Sequence, residues 1–223
     1  PSGTSKPGRA LKFESPVTFV RWSKDGARLF VATFKMLHVL ETAGWTTLDR
    51  HIIGTVSGNG PPVSASRTHI AFHETDEEIS LLELATLRLS AVTPTVKNLA
   101  DGATRMVEPG VLVVQDEAFC LHLIHPPEKK PRHSFCGLGS FLATASLDPT
   151  GTWLLAAGDD HTVRLWSVAD ERPLLVLPTI VGQVAAFDHE GKNILFERGH
   201  ELWSLPLDAR SEEHTSELQS RQV

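Results

Sequence analysis

The chain has 223 residues, 41% of them apolar, with no Tyr, two Met, two Cys and a formal net charge of −6, enough for one large all-β domain with a sizeable core. The acidic balance, with Lys129, Lys130 and Arg132 the only close cluster of cations, argues against a nucleic-acid partner, and no apolar run approaches the ~20 residues that cross a bilayer. Cys120 and Cys136 make no disulfide framework, so a reducing, cytoplasmic setting is expected, with no membrane partner.

Pro1 to Arg9, PSGTSKPGR, lacks apolar residues and reads as a flexible linker, 1–9, ahead of a structured region, 10–209. Ala10 to Phe13 is a short candidate strand. From Val17, VTFVRWSKDGARLFVATFKMLHVLE gives an apolar strand, a Ser-Lys-Asp-Gly turn ending at Gly26, a second strand and a third. SASRTHIAFHETDEEISLLEL repeats the logic with a turn near Thr68 and an acidic tip at Asp76, Glu77 and Glu78. The turn glycines Gly26, Gly110, Gly151 and Gly191 lie 84, 41 and 40 residues apart, and the first interval halves into two steps of 42 around Thr68. A period of about 41 without 3.6-residue periodicity points to five repeats of a four-stranded sheet. Third strands are expected to end on Val39, Leu82, Leu123, Trp166 and Trp203. Outer strands are expected at Thr46 to Ile52, Leu87 to Val92, Arg132 to Phe135 and Leu174 to Leu177.

The most legible stretch is Ser146 to Val168, SLDPTGTWLLAAGDDHTVRLWSV, two short strands joined by a hairpin. It resembles one repeat of the WD-repeat β-propellers, with Asp160, Thr162, Val163, Leu165 and Trp166 matching the family pattern. Three residues depart from it: Ser167 stands for the Asp after the Trp, Gly158 for the Ser two before the structural Asp, and Gly137-Leu138 for the Gly-His pair. In the family, Asp, His, Ser or Thr and Trp form a buried hydrogen-bonded network. Without the His that network is incomplete here, and apolar packing between sheets must carry more of the blade.

The resemblance implies a β-propeller of four-stranded antiparallel blades, about five present, with Trp153, Leu155, Val163 and Leu165 between neighbouring sheets and no appreciable helix in residues 16–205. Five blades form either a closed ring or part of a larger one, and the adapter-like end, 210–223, favours the part, an incomplete ring of a parent with six to eight blades, seven expected. The function implied is a non-catalytic protein-interaction scaffold without cofactor, its partners other proteins, as the C-terminal part of a bacterial-type signalling or multidomain protein. The alternative is a propeller accompanying a hydrolase or kinase domain outside this sequence. Arg210 to Ser220, RSEEHTSELQS, matches the in-frame translation of a common DNA-sequencing adapter, so residues 210–223 are expected to be non-native.

Cys120, His122, His125, His133 and Cys136 have loosely zinc-like spacing. A buried thiol with surface imidazoles is the other reading, and the one adopted, so no metal is assigned. No nucleophile motif, phosphate loop or His-Glu-x-x-His occurs, and no catalytic residue is assigned. Asp160, Thr162, Trp166 and Gly151 are expected to serve the turn and the blade packing. Asp160 should accept buried backbone hydrogen bonds while Asp159 points at solvent. Asp76, Glu77, Glu78, Lys129 and Lys130 are solvated tips that could contact a partner.

Overall fold

Apolar runs of five or six residues bounded by Gly, Asp and Ser can satisfy their backbone groups by pairing sideways, and throughout this chain they do so as antiparallel strands. The computed structural model describes residues 10–54, 63–73, 78–178, 185–198 and 200–207, and among them there is no helix. The linker 1–9, Asp76, Glu77 and the tail 210–223 lie outside the described residues. Two compact units divide the chain, residues 1–55 and 56–223.

The first unit is one sheet in the order β1 (Val17–Trp22), β2 (Arg28–Thr33), β3 (Met36–Glu41) and β4 (Thr47–Ile52). Leu29, Val31 and Leu40 are buried, and Leu11, Phe13 and Trp45 pack on them. Ala10 to Phe13 is therefore not the strand expected. Side-chain anchoring holds it, with the Phe13 ring 5.0 Å from that of His38.

The second unit holds four sheets. The first runs β5 (Val63–Ala65), β6 (His69–His73), β7 (Ile79–Glu83), β8 (Leu89–Val92). The next runs β9 (Leu99–Val107), β10 (Val111–Asp116), β11 (Leu121–Ile124), β12 (His133–Phe135). The third runs β13 (Leu142–Leu147), β14 (Trp153–Gly158), β15 (Thr162–Ser167), β16 (Pro173–Pro178). The last has three strands among the described residues, β17 (Ala185–Phe187), β18 (Asn193–Arg198) and β19 (Glu201–Pro206).

These sheets stack in chain order, with β5, β9, β13 and β17 as neighbours. Ala71, Ile79 and Leu81 of the first meet Leu112, Val114 and Ile124 of the second. The second sheet's other face, with Val113, Leu121, Leu123 and Phe135, meets Leu154, Ala156 and Trp166. Leu155, Ala157, Val163 and Leu165 then meet Ile194 and Phe196, with Trp153 packed alongside, as the sequence implies. Burial on both faces explains why β10 and β14 read as continuous apolar runs and not as alternating ones.

The same double burial hid the register. Trp166 pairs with Leu154, the second residue of β14, and the equivalent third-strand residues are Leu40, Leu82, Ile124 and Leu205. Leu82 was placed correctly, whereas Val39 and Leu123 are each one residue early and so belong to the opposite face. Trp203 is two residues early, opposite Phe196, and 43% exposed.

Candidate interaction site at the turn rim

Four of the five described turns joining first to second strands share one device. Ser23, Ser66, Asp148 and Asp188 each accept, through a side-chain oxygen, an N–H at the start of the next strand: Arg28 at 2.9 Å, His69 at 3.1 Å, Trp153 at 2.6 Å and Lys192 at 2.8 Å. Gly26, Gly110, Gly151 and Gly191 complete four of the turns, each donating its N–H to the carbonyl three residues back. At Gly151 φ is +73°, a conformation other residues rarely adopt. Thr68 stands in a turn centred on Ser66 that does without positive φ.

In the second unit the four turns joining first to second strands converge on a cavity of about 460 Å³, lined by Arg67, Glu108, Pro149 and His189 with Met106 and Phe187. Its carboxylates are already engaged. Asp148 is 4% exposed and holds Trp153 and Thr150, Asp188 holds Lys192 and Asn193, and Glu108 accepts the Arg67 N–H. What faces outward is the guanidinium of Arg67, 78% exposed with its Nε 4.0 Å from Glu108 Oε1, and the imidazole of His189. Committed carboxylates, apolar walls and an exposed cation suit recognition of a chain segment.

The blade carrying the resemblance replaces the missing His in a specific way. Leu138 is fully buried in the Gly-His position, and Arg164 of β15 donates both to its carbonyl and, at 3.0 Å, to Asp160. Thr162 adds its N–H and hydroxyl to the same carboxylate, at 3.2 and 2.7 Å. Burial pushes the Asp160 carboxyl up, but the hydrogen bonds from Thr162 and Arg164 outweigh it and hold the group below its ordinary range. Trp166 is fully buried, and its Nε1 has no hydrogen-bond partner among the described residues.

Two expectations for the acidic turn need correction. The Asp160 side chain is 28% exposed, so its bonds are not buried. Asp159 is half-buried, and its charge acts on Arg105, itself 6% exposed, instead of pointing away to solvent. Asp160→Ala is therefore expected to cost about 0.5–1.5 kcal/mol in urea melts, the range of a partly screened hydrogen bond.

The cysteines also depart from expectation. Cys120 and Cys136 are joined as a disulfide, which takes both sulfurs out of any zinc site and removes the argument for a reducing compartment. Among the described residues no group of three or more His, Cys, Asp and Glu is placed to hold a metal ion. His122 instead lies between Asp116, 3.0 Å from Nε2, and Ser134, 2.9 Å from Nδ1. This relay has the composition of a hydrolytic triad, but the Ser134 N–H, where an oxyanion would be received, donates to the Glu171 carboxylate at 3.3 Å. A negative charge there opposes acyl transfer.

Glu78 is half-buried, and Lys129 and Lys130 are exposed on the loop between β11 and β12, where the Lys129 carbonyl accepts the Thr95 N–H. None of the three lines the cavity. Sequence reasoning missed Arg105 and Gln115, which clasp the neighbouring sheet. Gln115 donates to Ser140 O at 2.8 Å and accepts the Leu142 N–H at 2.9 Å. Gln115, set directly after the apolar run VLVV, was the available signal for one of them, whereas LADGATRMV sets Arg105 apart by no pattern.

Residues 130–167 match the family model described as WD domain, G-beta repeat. The fold is similar to the crystal structure of the C-terminal WD40 domain of Sif2, with a TM-score of 0.67 at 14% identity, over 92% of this chain and 58% of that one. The matched segment is thus a WD repeat, and the fold is that of a WD40 propeller. Three curated relatives align with it over 68 residues, 28% of this chain. They are ribosome biogenesis protein ERB1 of Ajellomyces capsulatus and erb1 of Aspergillus niger, each 37% identical, and ERB1 of Coccidioides immitis, 35% identical. The chain covers 9% of the length of the first two and 8% of the third. No helix among the described residues is long and apolar enough to cross a membrane.

Proposed function

We propose that this WD-repeat chain is a non-catalytic scaffold that binds partner proteins at the turn rim of its second unit, within a larger ring of blades. WD-repeat propellers generally serve as interaction scaffolds, and the curated relatives are named for ribosome biogenesis. The setting proposed is accordingly a multiprotein assembly of that kind in preference to a signalling array. The observation that carries the reading is the cavity itself, where four successive turns present Arg67 and His189 outward while every lining carboxylate is engaged in a turn. The relay around His122, with its Ser N–H occupied by a carboxylate, supports the non-catalytic half of the reading.

A photo-crosslinking residue placed at Arg67, and separately at Lys129, tests this in cells expressing the full chain. Protein adducts from position 67, lost when His189→Glu is added without change in melting, are the expected result. Adducts only from position 129 would move the interface to the β11–β12 loop. Ester hydrolysis abolished by Ser134→Ala would replace the scaffold reading with an enzyme.

A further inference from the structure

Cys120 immediately precedes β11 and Cys136 immediately follows β12, facing each other one step beyond the Leu121–Phe135 pair. The bridge closes a loop of sequence separation 16 that contains β11, the loop with Lys129 and Lys130, and β12. Strand β12 is the outermost of its sheet, three residues long, and pairs with β11 at three positions only. Its remaining ties are the buried side chain of Phe135, whose ring lies 6.2 Å from that of Trp166, the His122–Ser134 hydrogen bond and two contacts from Glu171, to His133 Nδ1 at 3.2 Å and to the Ser134 N–H. Past Cys136 the chain enters the linker to the next sheet, where the Leu138 and Ser140 carbonyls accept Arg164 and Gln115. Cys136 is exposed and Cys120 half-buried, so the Cys136 end of the bridge is the more open to solvent.

We infer that the Cys120–Cys136 bridge is a reversible thiol–disulfide switch, opened by a dithiol reductant, that governs whether β12 and the loop before it stay docked. The reductant's thiolate attacks Cys136 Sγ, the Cys136–Cys120 bond breaks, and Cys120 leaves as a thiolate that takes up a proton. The second thiol of the reductant then attacks its own sulfur in the mixed disulfide, closing the reductant's disulfide and releasing Cys136. Two electrons pass to the protein and two thiols result. With the loop constraint gone, β12 is held by three residue pairs, a few polar contacts and the single core side chain of Phe135, whereas β10 and β11 keep several, among them Val113, Leu121 and Leu123. The opening is local, and it changes how the exposed Lys129 and Lys130 are presented.

Hydrogen exchange on the full chain with and without dithiothreitol, with thiols counted by alkylation and mass, tests the switch. Reduction under native conditions should raise exchange at residues 121–124 and 133–135 at least tenfold, leave Trp153–Gly158 and Thr162–Ser167 unchanged, and reverse with oxidised glutathione. Cys120→Ser with Cys136→Ser should reproduce the reduced pattern. A bridge that yields only after denaturant is added is a fixed staple and overturns the inference. So does loss of protection throughout the chain on reduction, identical exchange in both states, or a purified chain whose two thiols do not join under oxidised glutathione.

Discussion

Arg105→Ala is expected to cost about 3–5 kcal/mol, the largest loss among the single changes considered, because it removes the donors of a buried charge from the seam between two sheets. Arg105 sits in β9, 6% exposed, and donates to Thr104 O at 2.9 Å, to Leu142 O at 2.7 Å and to Ala143 O at 3.0 Å. The last two belong to β13, so one side chain satisfies carbonyls of the neighbouring sheet where water has no access. Burial pushes the guanidinium down to about 10, with the Asp159 charge pushing it back up, and it stays charged at neutral pH. Arg105→Lys keeps the charge but loses the planar fork, and about 1–3 kcal/mol is expected. Asp159→Ala removes the opposing charge and should cost about 1 kcal/mol. Urea melts of the three variants read all of this, and an Arg105→Ala loss under about 1 kcal/mol would show that the seam is held by apolar packing alone.

The sheets were legible because turn residues recur at a nearly fixed interval and because apolar runs between them are long enough to be strands and too short for helices. Register was not legible. Where both faces of β10 and β14 are buried, alternation vanishes, and nothing in VLVVQD or WLLAAG says which residue faces which neighbour. The site was not legible. The repeat pattern pointed to Asp160, Thr162 and Trp166, which lie away from the cavity, and the cavity depends on four turns about 40 residues apart being brought together, which no local pattern encodes. The disulfide was missed for the same reason. Cys120 and Cys136 face each other only because β11 and β12 pair in one register, and the loop between them gives no sign of it.

Gly158→Ser puts the family's usual residue back into the best-matching blade, and it is expected to destabilise by about 1–3 kcal/mol. Gly158 ends β14 with an ordinary strand backbone, so conformation alone does not demand glycine. Space does: a Cβ there would fall closer to Ser140 Oγ than real atoms approach, and 3.0 Å from Asp160 Oδ1. Ser140 cannot easily retreat, since its carbonyl accepts Gln115 at 2.8 Å and its neighbours Leu138 and Leu142 are buried. Its hydroxyl, fully enclosed and without a hydrogen-bond partner among the described residues, occupies the volume that a residue-158 side chain would take. Ser140→Gly should then relieve most of the cost of Gly158→Ser, giving a coupling of at least about 1 kcal/mol in a double-mutant cycle, while Ser140→Gly alone should cost about 1 kcal/mol or less. The four proteins of the cycle, unfolded in urea, measure it. Simple additivity would mean that the clash is absorbed elsewhere and that Gly158 was not selected by the hydroxyl of Ser140.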